Sequence, residues 1–316
     1  MKRLLIALAL AVFCHLAAAA GTCLIPSKPG GAMDMACKLV QNGMQDVPGA
    51  PPLKLAYLPG GIGAVAWHTM VSQRRAEPDT LVTFSGGSLL NLAQGKFGKA
   101  TPGDVRWVAA LGTDYGMIAV LADSPYKTLA DLVAALKKNP AAVLIGVSGT
   151  VGSQDWLKMA LVARQAGVDP KALRFVALEG GGESFTAMSA GYVQVVSGDV
   201  SEARIYAGAG KVRVLAVLAD HRLPGKLANV PTAREQGIDV VWPLILGVWM
   251  GPGVADDDYQ RWVAAFARME ATPAYARLRD EAGMYPFSMT GPALTAYVNQ
   301  AVRDYKNQAR QFNLLR

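Results

Sequence analysis

Histidine and cysteine are nearly missing: the 316-residue chain holds three of each, and Cys14 and His15 fall within its first twenty residues. What remains, His68, His221, Cys23 and Cys37, forms no cluster of metal-ligand spacing, with or without carboxylates, so no metal site is expected. The shortage of bases also weighs against an exported hydrolase. The Ser-Gly steps at Ser85, Ser148 and Ser197 lack the full G-x-S-x-G elbow. Their only potential bases would be His68, beside Trp67 on a helix, and His221, in a polar His-Arg-Leu-Pro-Gly turn. No basic block exists either. The formal net charge of +7 is spread along the chain, whereas nucleic-acid binding wants a clustered patch. Beyond residue 20 no apolar run is long enough to cross a bilayer as a helix, and there is no low-complexity tract, linker or fixed-period repeat.

What is present begins with a processing signal. Lys2 and Arg3, the apolar stretch Leu4 to Phe13 and the small residues Ala18-Ala19-Ala20 read as a signal peptide over residues 1–20, cleaved near Ala20. A lipoprotein anchor at Cys14 is disfavoured by the bulky Phe13 before it. Export to the periplasm follows. Without Lys2 and Arg3 the formal charge is +5, compatible with a small anionic ligand. Cys23 and Cys37 are left as an isolated pair, which in an oxidising compartment is expected to bridge. Such a bridge closes a loop worth about 3 kcal/mol in the chain-entropy model.

That loop holds the stretch around which the chain is organised. An apolar strand from Cys23 is stopped by Pro29, followed by Gly30-Gly31 and a helix from Met33 to about Asp46, with Ala36, Leu39, Val40, Gly43 and Val47 on one face. Free N–H groups at such a helix start, with the positive end of the helix dipole, suit an anion, and Lys28 adds charge. Strand, glycine turn and helix then recur: strands at 53–58, 81–84, 105–111, 117–122, 143–147, 174–178, 192–196, 212–218 and 240–250 alternate with helical stretches, and three helices close the chain. The pattern predicts an α/β fold with parallel sheets, in two units joined by crossings near 121 and 246.

Gly61-Ile62-Gly63-Ala64-Val65-Ala66 matches the dinucleotide fingerprint, but Glu77 and Asp79 precede the next strand instead of ending it, so a tight turn is the better reading and no cofactor is expected. Asp256-Asp257-Asp258 falls at a helix start and needs no cation. The remaining candidates are the loops at the strand ends, 28–34, 85–88, 112–114, 148–154, 180–184 and 197–199, where open α/β sheets bind ligands. They are rich in Gly, Ser and Thr, as suits an anion held by N–H and hydroxyl donors.

The ordered blocks Cys23-x-Ile-Pro-x-Lys-Pro-Gly-Gly-x-x-Asp-x-x-Cys-Lys38, Tyr57-Leu-Pro-Gly-Gly-Ile-Gly-Ala-Val-Ala66 and Phe84-Ser-Gly-Gly-Ser-Leu-Leu-Asn-Leu-Ala-Gln-Gly-Lys-Phe97 carry a family resemblance. So do Gly152-Ser-Gln-Asp-Trp156, Glu179-Gly-Gly-Gly-Glu183 and Val193-Gln-Val-Val-Ser-Gly-Asp199. The chain resembles the periplasmic substrate-binding subunits of tripartite tricarboxylate transporters, citrate-type branch, over essentially its whole length beyond the leader. The resemblance implies a two-domain, type II periplasmic-binding-protein fold that closes on its ligand, with residues 21–120 plus 247–316 as one domain and 121–246 as the other. It also implies a monomeric, non-enzymatic receptor for citrate or a related tricarboxylate, or alternatively for another carboxylate. The partners it implies are the large and small membrane subunits of the transporter, with a membrane sensor kinase as a further one. The expected ligand set is Lys28, Pro29, Gly30, Gly31 and Asp34 from the first loop, Thr150, Gly152, Ser153 and Gln154 from its counterpart, and Ser85, Ser88, Thr113, Ser197 and Asp199 around them. Asp199 would accept from a ligand hydroxyl or hold a neighbouring loop.

Overall fold

The computed structural model describes residues 20–315, so the expected leader lies outside the described residues except for Ala20. The first unit opens with β1 (Gly21–Ile25), α1 (Ala32–Gly43), β2 (Leu53–Tyr57), α2 (Ala64–Ser72), β3 (Thr80–Ser85) and α3 (Gly86–Ala93). A long strand β4 (Arg106–Leu121) leads to α4 (Leu129–Lys138), β5 (Leu144–Ser148), α5 (Gln154–Gln165), β6 (Arg174–Leu178), α6 (Gly181–Ser189), β7 (Val195–Asp199), α7 (Val200–Gly208) and β8 (Val212–Leu218). The chain returns through β9 (Pro243–Met250) to α8 (Asp256–Glu270), α9 (Pro273–Glu281), β10 (Met289–Thr290) and α10 (Gly291–Gln311).

The strands form two joined sheets. In the first the order is β2-β1-β3-β9-β4-β10, with β1, β2 and β3 parallel; in the second it is β8-β4-β7-β5-β6, with β5, β6 and β7 parallel. Burial explains the sequence of β3: all six residues of Thr-Leu-Val-Thr-Phe-Ser are buried, as a central strand covered on both faces must be. In the first unit Leu39 and Val40 of α1 pack with Trp262 and Phe266 of α8 on one face, while Trp67, Trp107, Trp249 and Leu294 fill the other. The second sheet is likewise covered by α4 and α5 on one face and by α6 and α7 on the other.

One expectation is corrected here. The stretch 105–122 is not two strands separated by a Gly-Thr-Asp loop but a single strand of 16 residues shared by both sheets. Its Arg106–Tyr115 half pairs with β9, and from Gly116 it pairs with β7 and β8. Two register shifts against β9, and Gly112 at φ +156°, let the backbone bend without breaking the ladder. The loop signal at 112–114 is therefore a bulge signal. The return crossing lies at Trp242–Pro243, where the Gly116 N–H donates to the Trp242 carbonyl.

Candidate functional site

The β1–α1 loop is held from below. Asp34, in the first turn of α1, is fully buried, and its Oδ2 accepts from the Gly30 N–H at 2.8 Å and from Lys38 Nζ at 2.8 Å. Its Oδ1 accepts from the Tyr57 hydroxyl at 2.8 Å. Burial opposes the charge, but the hydrogen bonds from Lys38, Gly30 and Tyr57 outweigh it and hold the carboxyl below its usual range. Cys23 and Cys37 are bridged, with Cα atoms 5.8 Å apart, which ties the middle of β1 to the middle of α1. Gly30 takes φ +93°, a conformation that costs a side-chain-bearing residue energy, and Gly31 caps α1 without a side-chain acceptor. The first-turn N–H groups of α1 thus have no intrahelical partner.

Loops of the second sheet face this turn. Lys28 pairs with Glu179 at 3.4 Å across the gap, both largely exposed, and a Cβ on Gly182 would lie 3.8 Å from the Gly30 carbonyl. Deeper in the seam, Gln94 of the α3 end donates through Nε2 to the Gly152 carbonyl at 2.7 Å. Gln154 lies against Gly87, whose Cβ would stand 3.2 Å from the amide. Leu314, after α10, closes over Gly152. Between the starts of α1 and α6 stands the carboxylate of Glu202: a Cβ on Gly181 would lie 1.8 Å from it, one on Gly198 3.5 Å and one on Gly31 4.0 Å.

A buried ion cluster supports the second half. Lys158 of α5 is fully buried and gives its ammonium to Asp155 Oδ1 at 2.8 Å, to the Gly198 carbonyl at 3.0 Å and to Asp199 Oδ1. Burial works against this charge, but Asp155 and Asp199 more than compensate and raise the pKa of the lysine. Asp155 Oδ2 accepts from the Ser148 N–H at 3.1 Å, fixing the β5–α5 loop, and Asp199 Oδ2 accepts from Gln154 Nε2 at 3.2 Å. Asp114 of β4 is also fully buried, its pKa raised to about 7 by burial and by Asp199 in spite of donors from Tyr115 and Ser201.

The expected residues thus divide. Lys28, Pro29, Gly30, Gly31, Gly152, Ser153 and Gln154 belong to the loops that meet across the gap, and Ser85 and Ser88 lie at the start of α3, where the Ser85 N–H donates to Ser88 Oγ. Asp34 supports the loop from inside, and the N–H of Gly30, expected to meet a ligand, is given to Asp34. Thr113 sits within β4, and its hydroxyl donates to the Leu244 carbonyl at 2.9 Å. Ser197, fully buried, donates to the Asp155 carbonyl at 2.7 Å and so joins β7 to α5. Thr150 is on the surface. Asp199 holds a neighbouring loop through Gln154, one of the two roles considered for it. Sequence reasoning missed Tyr57, Gln94, Lys158 and Glu202. Lys158, three residues after Asp155 on an apolar helix, was the most legible of these, because a lysine on a buried face requires acidic partners. His68 is exposed, with only its backbone carbonyl accepting from the Ser72 hydroxyl, and His221 is an exposed partner of Asp220 at 2.7 Å; neither imidazole pairs with a serine hydroxyl among the described residues.

A family model described as the tripartite tricarboxylate transporter family receptor matches residues 60–314. The chain is 27% identical over 204 residues to a UPF0065 protein in the gbd 5′ region of Cupriavidus necator, and the match covers 64% of this chain and 60% of that one. The chain therefore spans less than two thirds of that curated relative. MatC from Rhodopseudomonas palustris with bound malate superimposes with a TM-score of 0.78 at 20% identity, covering 92% of this chain and 98% of that one. A further R. palustris protein, with adipate, gives 0.82 at 19% identity, covering 92% and 96%. These likenesses establish the type II periplasmic-binding-protein fold. The matched family consists of binding proteins, not enzymes. Matched over most of its length, the chain belongs to the tripartite tricarboxylate transporter receptor family.

Proposed function

We propose that this protein is a periplasmic solute receptor that holds a small carboxylate between its two units and delivers it to the large and small membrane subunits of a tripartite transporter. The observation that carries this reading is the β1–α1 turn. The turn lies against Glu179 and Gly182 of the second sheet's loops, the first N–H groups of α1 have no intrahelical partner, and Asp34 and the Cys23–Cys37 bridge hold it in place. Family membership supports it, as do the bound malate and adipate of two proteins with the same fold. Residues 21–120 plus 247–316 and residues 121–246 act as two domains, and β4 and the chain before β9 serve as the hinge between them. Closure then brings the loops of the second domain onto a ligand seated at α1.

The tricarboxylate expected from the sequence would bring three charges close to Asp199 and Glu202. The geometry supports better a ligand with one carboxylate at α1 and less negative charge elsewhere. Titration calorimetry of the purified protein against citrate, isocitrate, tricarballylate, malate, succinate and glutamate tests the reading. At least one should bind with micromolar or tighter affinity, on the order of −8 kcal/mol. No heat from any of them would overturn the carboxylate assignment.

A further inference from the structure

Glu202 is the one acid of the seam whose role the preceding description leaves open. The residue is 6% exposed, yet among the described residues it has no hydrogen-bond or ion-pair partner, although Asp114, Asp155 and Asp199 all have donors. A largely buried carboxylate without a protein donor is costly, because it keeps only part of its hydration. The surroundings add to the cost: Asp114, Asp155 and Asp199 act on it, with Lys158 as the cation that opposes them. Burial first, and then these acids, push its pKa well up.

Two further acceptors at the same seam lack donors. Gln154 Oε1 and Gln94 Oε1 are buried without a partner. Neither amide can be turned round to cure this, since Gln154 Nε2 is held by Asp199 and Gln94 Nε2 by the Gly152 carbonyl. No three His, Cys, Asp or Glu side chains among the described residues are placed to hold a metal ion. A ligand that carries hydrogen-bond donors would satisfy these acceptors. On the α1 side the need is the opposite one, for an acceptor to meet the N–H groups of the helix start.

We infer that Glu202 is a specificity residue that pairs with a cationic nitrogen of the ligand, so that the preferred solute is a small carboxylate carrying an ammonium or similar cationic group. This rests on the carboxylate reading above and adds to it the second pole of the ligand. The carboxylate seats at α1, and the nitrogen seats between α6 and α7, where Gly181 and Gly198 leave room for the Glu202 carboxylate. The ammonium brings three donors to a seam with unmet acceptors. An analogue with a hydroxyl, a methyl or a second carboxylate in that place leaves Glu202 unpaired or opposed, and sites built around a buried polar group discriminate strongly against such analogues.

Calorimetry with matched pairs tests this: succinate against β-alanine, glutarate against 4-aminobutyrate, and malate against aspartate. The nitrogen-bearing member of at least one pair should bind about tenfold or more tighter, and Glu202→Gln should remove most of that preference. Thermal unfolding of the Gln variant should show an intact protein, and above neutral pH a more stable one, because a buried unpaired charge has been removed. Equal or tighter binding of the plain carboxylates by the unaltered protein would overturn the inference, without recourse to any variant. So would an unchanged preference in a folded Glu202→Gln protein. Binding by neither class would defeat the carboxylate reading itself, which separates the two failures.

Discussion

Replacing Lys158 by Met would test whether the second half of the cleft is held by charge. The side chains are similar in volume, so the change is mainly electrostatic. Lys158 uses all three ammonium donors, on Asp155, the Gly198 carbonyl and Asp199, and it is fully buried. Its loss leaves two carboxylates facing each other at the root of α5. Breaking a buried pair in this way costs about 3–5 kcal/mol. A second route to the magnitude agrees with the first. The folded variant can relieve the repulsion by protonating one carboxylate, which for an ordinary pKa near 4 costs about 4 kcal/mol at pH 7 and about 1.4 at pH 5. In the variant this carboxyl has a folded pKa above its unfolded one. Its stability contribution is complete below the unfolded value near 4 and is lost as pH rises through the folded value. Urea denaturation followed by far-UV circular dichroism and tryptophan fluorescence should therefore show a loss of about 4 kcal/mol at pH 7 that shrinks by more than half at pH 5. Adding Asp199→Asn should restore more than about 1 kcal/mol at pH 7, because the two sites share one network. A loss below about 1 kcal/mol at pH 7, or an equal loss at both pH values, would refute the argument.

Other consequences can be checked as directly. Asp34→Ala strands the Gly30 N–H and the Tyr57 hydroxyl, and should weaken ligand binding at least about tenfold while costing roughly 2–3 kcal/mol. The folded pKa of Asp34 is lowered, so its contribution is present above the unfolded value near 4 and fades as pH falls through the folded one; the gap between wild type and variant in urea melts should narrow as pH falls below the unfolded value. Glu270, pushed up to about 7 by burial with Oε1 lacking a donor, behaves in the opposite sense. It favours the fold below about pH 4.5 and loses that contribution as pH rises through 7, so Glu270→Gln should stabilise near pH 8 by up to about 3 kcal/mol and not at pH 4.5. Replacing Cys23 and Cys37 by Ser should cost about 3 kcal/mol. Calorimetry on the same variant should show a larger fractional loss of affinity than of folded population; unchanged affinity would mean that the bridge only staples the fold.

Much of this architecture is legible in the sequence, because it is written in short-range signals. Gly30-Gly31 opened α1 as expected, since only backbone geometry is involved, whereas β1 ended at Ile25, before Pro26, and not at Pro29. Thr128 and Asp131, three residues apart, form the capping box that starts α4, another signal of purely local range. Gly112-Thr113-Asp114 was misread because a glycine in a strand interior and a glycine in a loop look alike in sequence; what separates them is the neighbouring strand β9, more than 120 residues away. The same limit governs the site. Serine and threonine signal available hydroxyls, but whether Thr113 or Ser197 meets a ligand or a carbonyl depends on Leu244 and Asp155, which the chain brings near only when folded. Glu202 was invisible for the converse reason. It looks like any helical glutamate, and its significance lies in a partner that it does not have.

The two halves of the cleft are stiffened by different means, and the difference bears on how closure works. The α1 side is fixed by a covalent bridge and by a carboxylate whose three donors come from its own unit: Gly30, Lys38 and Tyr57. The other side is fixed by Lys158, which ties α5 to the end of β7 within the second sheet. Neither network reaches across the gap. The polar links that do cross include Gln94 to Gly152 and the exposed pair Lys28–Glu179. An exposed pair contributes less than about 1 kcal/mol, and one neutral hydrogen bond about the same. The Arg204 guanidinium of α7 also donates to the Asp280 and Glu281 carbonyls at the end of α9, so the closure proposed above depends on these few links and on whatever else bridges the halves. A ligand that meets both the α1 N–H groups and Glu202 supplies that bridge, and by population shift its affinity for the closed form sets how far the equilibrium moves.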